Sequence, residues 1–218
     1  MKQPAGRENW QQPNRIPVFH IGQEQRSDSV PEEISRIVDE ALAKTEMTKQ
    51  VNVAIDGVGG GGKSTLGRAL AKKYDCNLFH MDDFFLRNEQ RTPDRYAQPG
   101  GNVDYERFQA EVLNHLADRD GLTYRPFDCS RMELGMPRTV SYSRLNIIEG
   151  SYSCHPYFGD IYQVRFFVDL PAKVQKERIL ARNGEEKYRR FADEWIPMEN
   201  QYFDTFGIRE KCIGITLV

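Results

Sequence analysis

The sequence predicts an α/β chain: a five-stranded parallel sheet with helices on both faces, forming three layers. Three observations carry this reading. From residue 51 onward, short apolar runs alternate with helical periods, the mark of strands joined through crossover helices. A glycine-rich segment, Gly57-Val58-Gly59-Gly60-Gly61-Gly62-Lys63-Ser64, falls at one strand-to-helix junction. The 218 residues include 12 Phe, 10 Tyr and 2 Trp, enough aromatic bulk for a core at that length.

Taken in order, the first 28 residues are polar and carry three prolines, and only Ile16 to Ile21 has the pattern of a short strand. Ser29-Val30-Pro31-Glu32 has capping-box spacing, and Ile34, Ile37, Val38, Ala41 and Leu42 follow at helical intervals, which predicts an amphipathic helix to about residue 46. Residues 1–47 are therefore an extension with one helix, and 48–218 the main domain. Within that domain the strands are Val51 to Asp56, Asn77 to Met81, Arg144 to Glu149, Gln163 to Asp169 and Cys212 to Val218. Helices fit between them at 63–74, 104–119, 171–182 and 187–205. Leu86 to Asn102, rich in Arg, Pro and Gly, reads as a long loop, and Thr123 to Tyr142 as a β-hairpin arm. Ligands of open parallel sheets bind beyond the carboxyl ends of the strands, so chemistry is expected around Asp56, Met81, Glu149 and Asp169.

Composition narrows the function. With 30 Lys plus Arg against 32 Asp plus Glu the net charge is −2, which gives no basic surface for coating nucleic acid. No apolar run approaches the ~20 residues of a membrane span, and the start lacks the apolar core of a signal peptide, so a cytoplasmic location is expected. Cys76, Cys129, Cys154 and Cys212 lie too far apart for zinc or redox motifs and read as reduced thiols.

The glycine-rich segment matches the phosphate-loop pattern GxxxxGK[ST] at every specified position. It follows a strand and opens a helix, so the backbone N–H groups of Gly57, Gly59, Gly60, Gly61, Gly62, Lys63, Ser64 and Thr65 can face one phosphate cluster. Lys63 would reach the β- and γ-phosphates of ATP, and Ser64 would ligate Mg²⁺. The same glycines, Gly57, Gly59 and Gly62, also satisfy the dinucleotide fingerprint, with Asp82 where a ribose-binding acid is expected. An NAD-dependent oxidoreductase is thus an alternative, but its fingerprint has no use for Lys63-Ser64.

His80-Met81-Asp82-Asp83-Phe84-Phe85 places two adjacent acids at the second strand's end. Neighbouring like charges need a cation or a proton to share, and one such carboxylate can take the proton of an attacking hydroxyl. Glu149 ends an apolar strand, where a carboxylate needs a cation partner such as Mg²⁺. Asp104 precedes Phe108, Val112, Leu113 and Leu116 at helical spacing and has the place of an N-cap. Arg178 and Arg182 are at i, i+4, on one helix face pointing to a loop.

On these motifs the chain resembles the uridine kinase and nicotinamide riboside kinase family, which is phosphoribulokinase-like, over roughly residues 51–205. The resemblance implies a P-loop kinase fold, with ATP and Mg²⁺ and transfer to a riboside hydroxyl. It makes Asp82 the general base and a neighbour of the metal, Asp104 the ligand of a ribose diol, Glu149 a group near Mg²⁺, and Arg178 and Arg182 cations of a short lid, with Arg189 and Arg190 as further candidates. Trp195-Ile196-Pro197-Met198 is similar to the riboside kinase segment after the lid, and Tyr124 to Asp128 to a hairpin that covers the base. Arg87, Arg91 and Arg95 depart from both kinases, which leaves room for an acidic acceptor. The expected function is ATP-dependent phosphorylation of a hydroxyl of a small metabolite, a nucleoside or other riboside. A nucleotide-binding regulator without turnover is the third reading: it would keep Gly57 to Ser64 but would not need Asp82.

Overall fold

The computed structural model describes residues 17–21 and 29–217. Ile16, Val218 and the remainder of the N-terminal arm lie outside the described residues. In chain order the elements are β1 (Val18–Ile21), α1 (Glu32–Lys44), β2 (Val51–Gly57), α2 (Lys63–Tyr74), β3 (Asn77–His80), α3 (Pro93–Tyr96), α4 (Tyr105–Glu111), β4 (Leu122–Tyr124), β5 (Phe127–Asp128), β6 (Glu133–Leu134), β7 (Arg138–Val140), β8 (Leu145–Glu149), β9 (Val164–Asp169), α5 (Ala172–Arg190), α6 (Ile196–Phe206) and β10 (Ile213–Leu217).

The main sheet has the order β1-β10-β9-β2-β8-β3, and every pairing is parallel. It has six strands where five were expected, because the chain ahead of α1 supplies an edge strand, Val18 pairing with Gly214 and His20 with Thr216. Side chains alternate across the central strands, so each strand feeds two cores. Ala54, Ile148 and Phe167 join Phe108 of α4 and Tyr202 and Phe203 of α6 on one face. Val53, Ile55, Ile147, Phe166 and Val168 join Ile34 and Val38 of α1 and Leu70 of α2 on the other. This is the three-layer arrangement that the alternating pattern predicts, with α1 built into it.

Four local departures have identifiable causes. α1 starts from Pro31 as its N-cap rather than from Ser29, because proline's fixed φ suits the entry turn. α4 stops at Glu111 and a 3₁₀ turn follows at Leu113–His115, where Val112, Asn114 and His115 are weak helix formers. The two predicted helices after β9 are nearly continuous, and the expected lid loop shrinks to a break at Gly184 (φ 79°, ψ 172°). A π-turn at Phe191–Trp195 then leads into α6, directly before Pro197, which lacks an N–H and crowds the preceding turn. The hairpin arm is present as antiparallel β4–β7 and β5–β6 pairs. Among the described residues no helix is long and apolar enough to cross a membrane.

Candidate active site

The loop between β2 and α2 lies at the carboxyl edge of the sheet, and its first glycine is dictated by backbone geometry. Gly57 has φ 137°, and a Cβ there would stand 2.1 Å from the Val168 carbonyl oxygen. That carbonyl accepts the Val58 N–H at 3.0 Å, which stitches the loop to β9. From α5, Gln175 donates to the Gly59 carbonyl at 3.0 Å and Arg178 to the Gly61 carbonyl at 3.4 Å. The loop is thus braced from two sides, and within it the Gly61 N–H donates to the Val58 carbonyl at 3.0 Å.

Lys63 is buried, and its ammonium donates to the carbonyls of Gly57 (2.8 Å) and Val58 (2.9 Å) and to Ser151 Oγ (3.2 Å). Ser64 Oγ donates to Glu149 Oε2 at 3.1 Å. Gly67 permits this pairing: a Cβ on it would come within 3.2 Å of Glu149 Cγ, so a glycine lets α2 lie close against β8. The other Glu149 oxygen pairs with His80 Nδ1, and that hydrogen bond raises the imidazole pKa above its usual value. Ser64 and Glu149 form an all-oxygen donor set, the kind a hard divalent cation takes. Mg²⁺ commonly uses one or two carboxylates and completes its shell with water and phosphate oxygens, and these two groups fit it.

The two adjacent acids divide their duties. Asp83 accepts from Tyr124 Oη (3.0 Å) and Arg138 Nη1 (2.8 Å), which fastens the hairpin to the sheet. Asp82 lines the cavity and, among the described residues, makes no hydrogen bond or ion pair. Its carboxylate is open to solvent at the cavity mouth yet ringed by protein, and this crowding, followed by repulsion from Glu149, raises its pKa. Asp56, by contrast, is a strut: fully buried, it accepts from the N–H groups of Gly57, Tyr152 and Cys154 and from Tyr202 Oη. Burial pushes its pKa up to about 6 against the pull of the Cys154 and Gly57 N–H groups, the Lys63 charge and the Tyr202 hydroxyl. Asp169 pairs with Arg209, away from the cavity.

A cavity of about 830 Å³ is lined by Gly59–Thr65, Asp82, Glu149, Arg178 and Arg182, so most of the predicted site converges on it. Phe85, Asn102, Tyr152, Trp195 and Glu199 line it as well. Asp104 does not. It caps α4 through the Arg107 N–H (3.1 Å), and its second oxygen stands 3.4 Å from Arg87 Nε and 3.5 Å from Arg107 Nε. Arg189 and Arg190 are exposed and off the cavity, Arg190 pairing with Glu194. Arg87, Arg91 and Arg95 are also off it. Arg95 grips both oxygens of Glu106, Arg91 holds the Leu86 carbonyl, and Arg87 pairs with Glu89 and Asp104. Ser151, Gln175 and Glu199 had no signal in the sequence, because only the fold brings them to the loop, as it brings His80 to Glu149.

Comparison with known proteins agrees with this geometry. A family model for shikimate kinase matches residues 59–123. A possible uridine kinase from Bacillus stearothermophilus superposes with a TM-score of 0.61 at 18% identity, covering 85% of this chain and 100% of that one. A candidate fructose transport system kinase from Silicibacter sp. TM1040 gives 0.62 at 23%, covering 84% and 97%. The D-glycerate 3-kinase of Cryptococcus neoformans gives 0.55 at 15%, covering 84% and 88%. The chain has the P-loop kinase fold. Strand order separates this fold from the dinucleotide alternative. In dinucleotide-binding sheets the strands on either side of the first helix are neighbours, whereas here β8 lies between β2 and β3. Asp82, after β3, is therefore not placed as a ribose-binding acid of that fold, and the NAD reading is dropped.

Proposed function

We propose that the protein is a kinase that transfers the terminal phosphoryl group of ATP to a hydroxyl of a small metabolite, a nucleoside or other riboside. The observation that carries this reading is one cavity holding the phosphate loop, the Ser64–Glu149 oxygen pair and an unengaged Asp82. Loop N–H groups and Lys63 bind the phosphates of ATP, and Ser64, Glu149 and Asp82 are the residues that would hold Mg²⁺. Bound there, Mg²⁺ supplies charge neutralisation at the phosphate oxygens. Asp82 orients the acceptor hydroxyl and takes its proton as the new O–P bond forms and ADP leaves. A carboxylate with a raised pKa is the better proton acceptor. Arg178 and Arg182 approach from α5 and stabilise charge on the group in flight.

Besides the phosphate loop, the cavity wall carries a carboxylate, an amide and two aromatic rings, those of Asp82, Asn102, Tyr152 and Trp195. The three arginines that suggested an acidic acceptor are committed elsewhere, which favours an uncharged hydroxyl compound over a phosphorylated one. Calorimetry with Mg-ATP and NADH, followed by an ADP-release screen of hydroxyl metabolites, tests the proposal. ATP binding should be lost or weakened at least tenfold in Lys63→Ala, since charge-assisted contacts to phosphate disappear. NADH binding without ATP binding would overturn the reading. ATP binding with no ADP release on a broad panel would make the protein a nucleotide-binding regulator.

A further inference from the structure

Glu199 stands on the phosphate loop. Its Oε2 accepts the Gly59 N–H at 2.9 Å and its Oε1 accepts from Ser151 Oγ at 2.7 Å, while the same Ser151 Oγ receives the Lys63 ammonium at 3.2 Å. The side chain is 7% exposed, so this anion is held inside the site and not on its rim. A Cβ on residue 59 would lie 3.3 and 3.4 Å from the two carboxylate oxygens, so glycine there leaves the carboxylate its room. α6 cannot easily withdraw as a unit, since Tyr202 pins it to the buried Asp56 at 2.9 Å.

Phosphate-loop N–H groups are donors for nucleotide phosphates, and the loop lysine serves the β- and γ-phosphates. A carboxylate that takes a loop N–H and shares Ser151 with the lysine tip therefore sits at the terminal-phosphate end of the cradle. We propose that Glu199 is a resident anion that the terminal phosphate of ATP must displace, so that it sets the relative affinity for triphosphate and diphosphate. This rests on the kinase reading above. Two anions cannot share one N–H, and the Glu199 side chain must swing off Gly59 when the γ-phosphate arrives. ADP, which ends at the β-phosphate, leaves the contact in place.

The test is calorimetric titration of the parent, Glu199→Gln and Ser151→Ala with ATP and with ADP, each with Mg²⁺, alongside circular-dichroism melts. Glu199→Gln removes the charge at constant size. It should tighten ATP on the order of tenfold, the scale of one charge-assisted hydrogen bond, and leave ADP within about twofold. Ser151→Ala keeps the charge but removes one of its two anchors, and should move the ATP-to-ADP ratio in the same direction by a smaller factor. It also carries the test alone if Glu199→Gln does not fold. Equal tightening of ATP and ADP would show a general background charge and overturn the proposal. Unchanged or weakened ATP binding in both variants would overturn it too, with the kinase reading intact because the parent still binds ATP. Absence of ATP binding in the parent would instead sink the kinase reading, and this proposal with it.

Discussion

Replacing Asp104 with alanine should destabilise the protein well beyond the loss of a helix cap. The carboxylate is 1% exposed; one oxygen caps α4 and the other faces Arg107, whose side chain is 6% exposed. Losing the cap costs about 1 kcal/mol. Breaking a buried ion pair by deleting one partner costs roughly 3–5 kcal/mol when nothing else holds the survivor. Here Arg107 keeps Glu111 at 3.3 Å and the carbonyls of Arg125 and Asp83, so the loss falls below that range, to about 2 kcal/mol. The Arg87 contact is too exposed to add much. The sum is about 3 kcal/mol, or a melting point lower by about 6–12 °C for a chain of this size. Asp104→Asn keeps the cap and should cost roughly 2 kcal/mol. Urea unfolding at neutral pH measures both, and a loss of 1 kcal/mol or less for alanine would refute the ion-pair argument. The same variant tests the diol role that the family resemblance suggests. If Asp104 holds a ribose diol, Asp104→Ala should abolish the preference for ribo- over 2′-deoxy acceptors; if it is only a cap and clamp, the preference should survive.

Asp82→Asn should reduce kcat by on the order of 10²-fold or more with ATP affinity little changed, because the base acts on the acceptor and the loop holds the nucleotide. Steady-state kinetics with any accepted hydroxyl compound reads this, and a parental rate would place the base elsewhere. Arg178→Ala and Arg182→Ala should each lower kcat at least tenfold with less than threefold change in ATP affinity, since their charge is needed most in the transition state; unchanged rates in both would leave them as surface charges. His155, buried and stacked on Tyr105 at 4.3 Å, has its pKa pushed down to about 4, mainly by burial. A depressed histidine pKa gives a stability contribution that is whole above the unfolded-state pKa of about 6.5 and is lost as pH falls toward about 4. Between pH 7 and 5 this amounts to roughly 2 kcal/mol, which His155→Phe should remove from the pH dependence. Asp56 acts with the opposite sign between about 4 and about 6, so the difference between parent and variant is the quantity to compare.

The loop, α2 and the strand ends were legible because local pattern and physics coincide there: Gly57 to Ser64 is contiguous, α2 runs over Lys63–Tyr74 as periodicity predicts, Glu149 ends the apolar strand β8, and Asp82 lies in the 3₁₀ turn just past β3. Asp104 was legible as a cap for the same reason. Illegible were the contacts set by tertiary packing. Nothing near Glu199 in sequence marks it as a partner of Gly59, 140 residues away. The arginines of 87–95 looked like a binding surface because charge in a loop is ambiguous until its partners are known, and Arg95 turned out to serve Glu106. The edge strand β1 was visible as a pattern, but its pairing with β10 depends on the whole topology.

That pairing bears on how the molecule is made. Val18 and its partner Gly214 are the first and nearly the last residues of the sheet to leave the ribosome. At about 5–20 residues per second, the first strand waits roughly 10–40 seconds for its neighbour. During that time the phosphate loop and the central strands can assemble, while β1 remains an apolar segment in search of an edge. β10 in turn emerges with both sides unpaired, between β9 on one side and the waiting β1 on the other. Closing the sheet therefore comes last among the pairings of this sheet, and a nascent chain stalled a few residues short of Ile213 would hold its nucleotide cradle but expose β9 to any strand nearby.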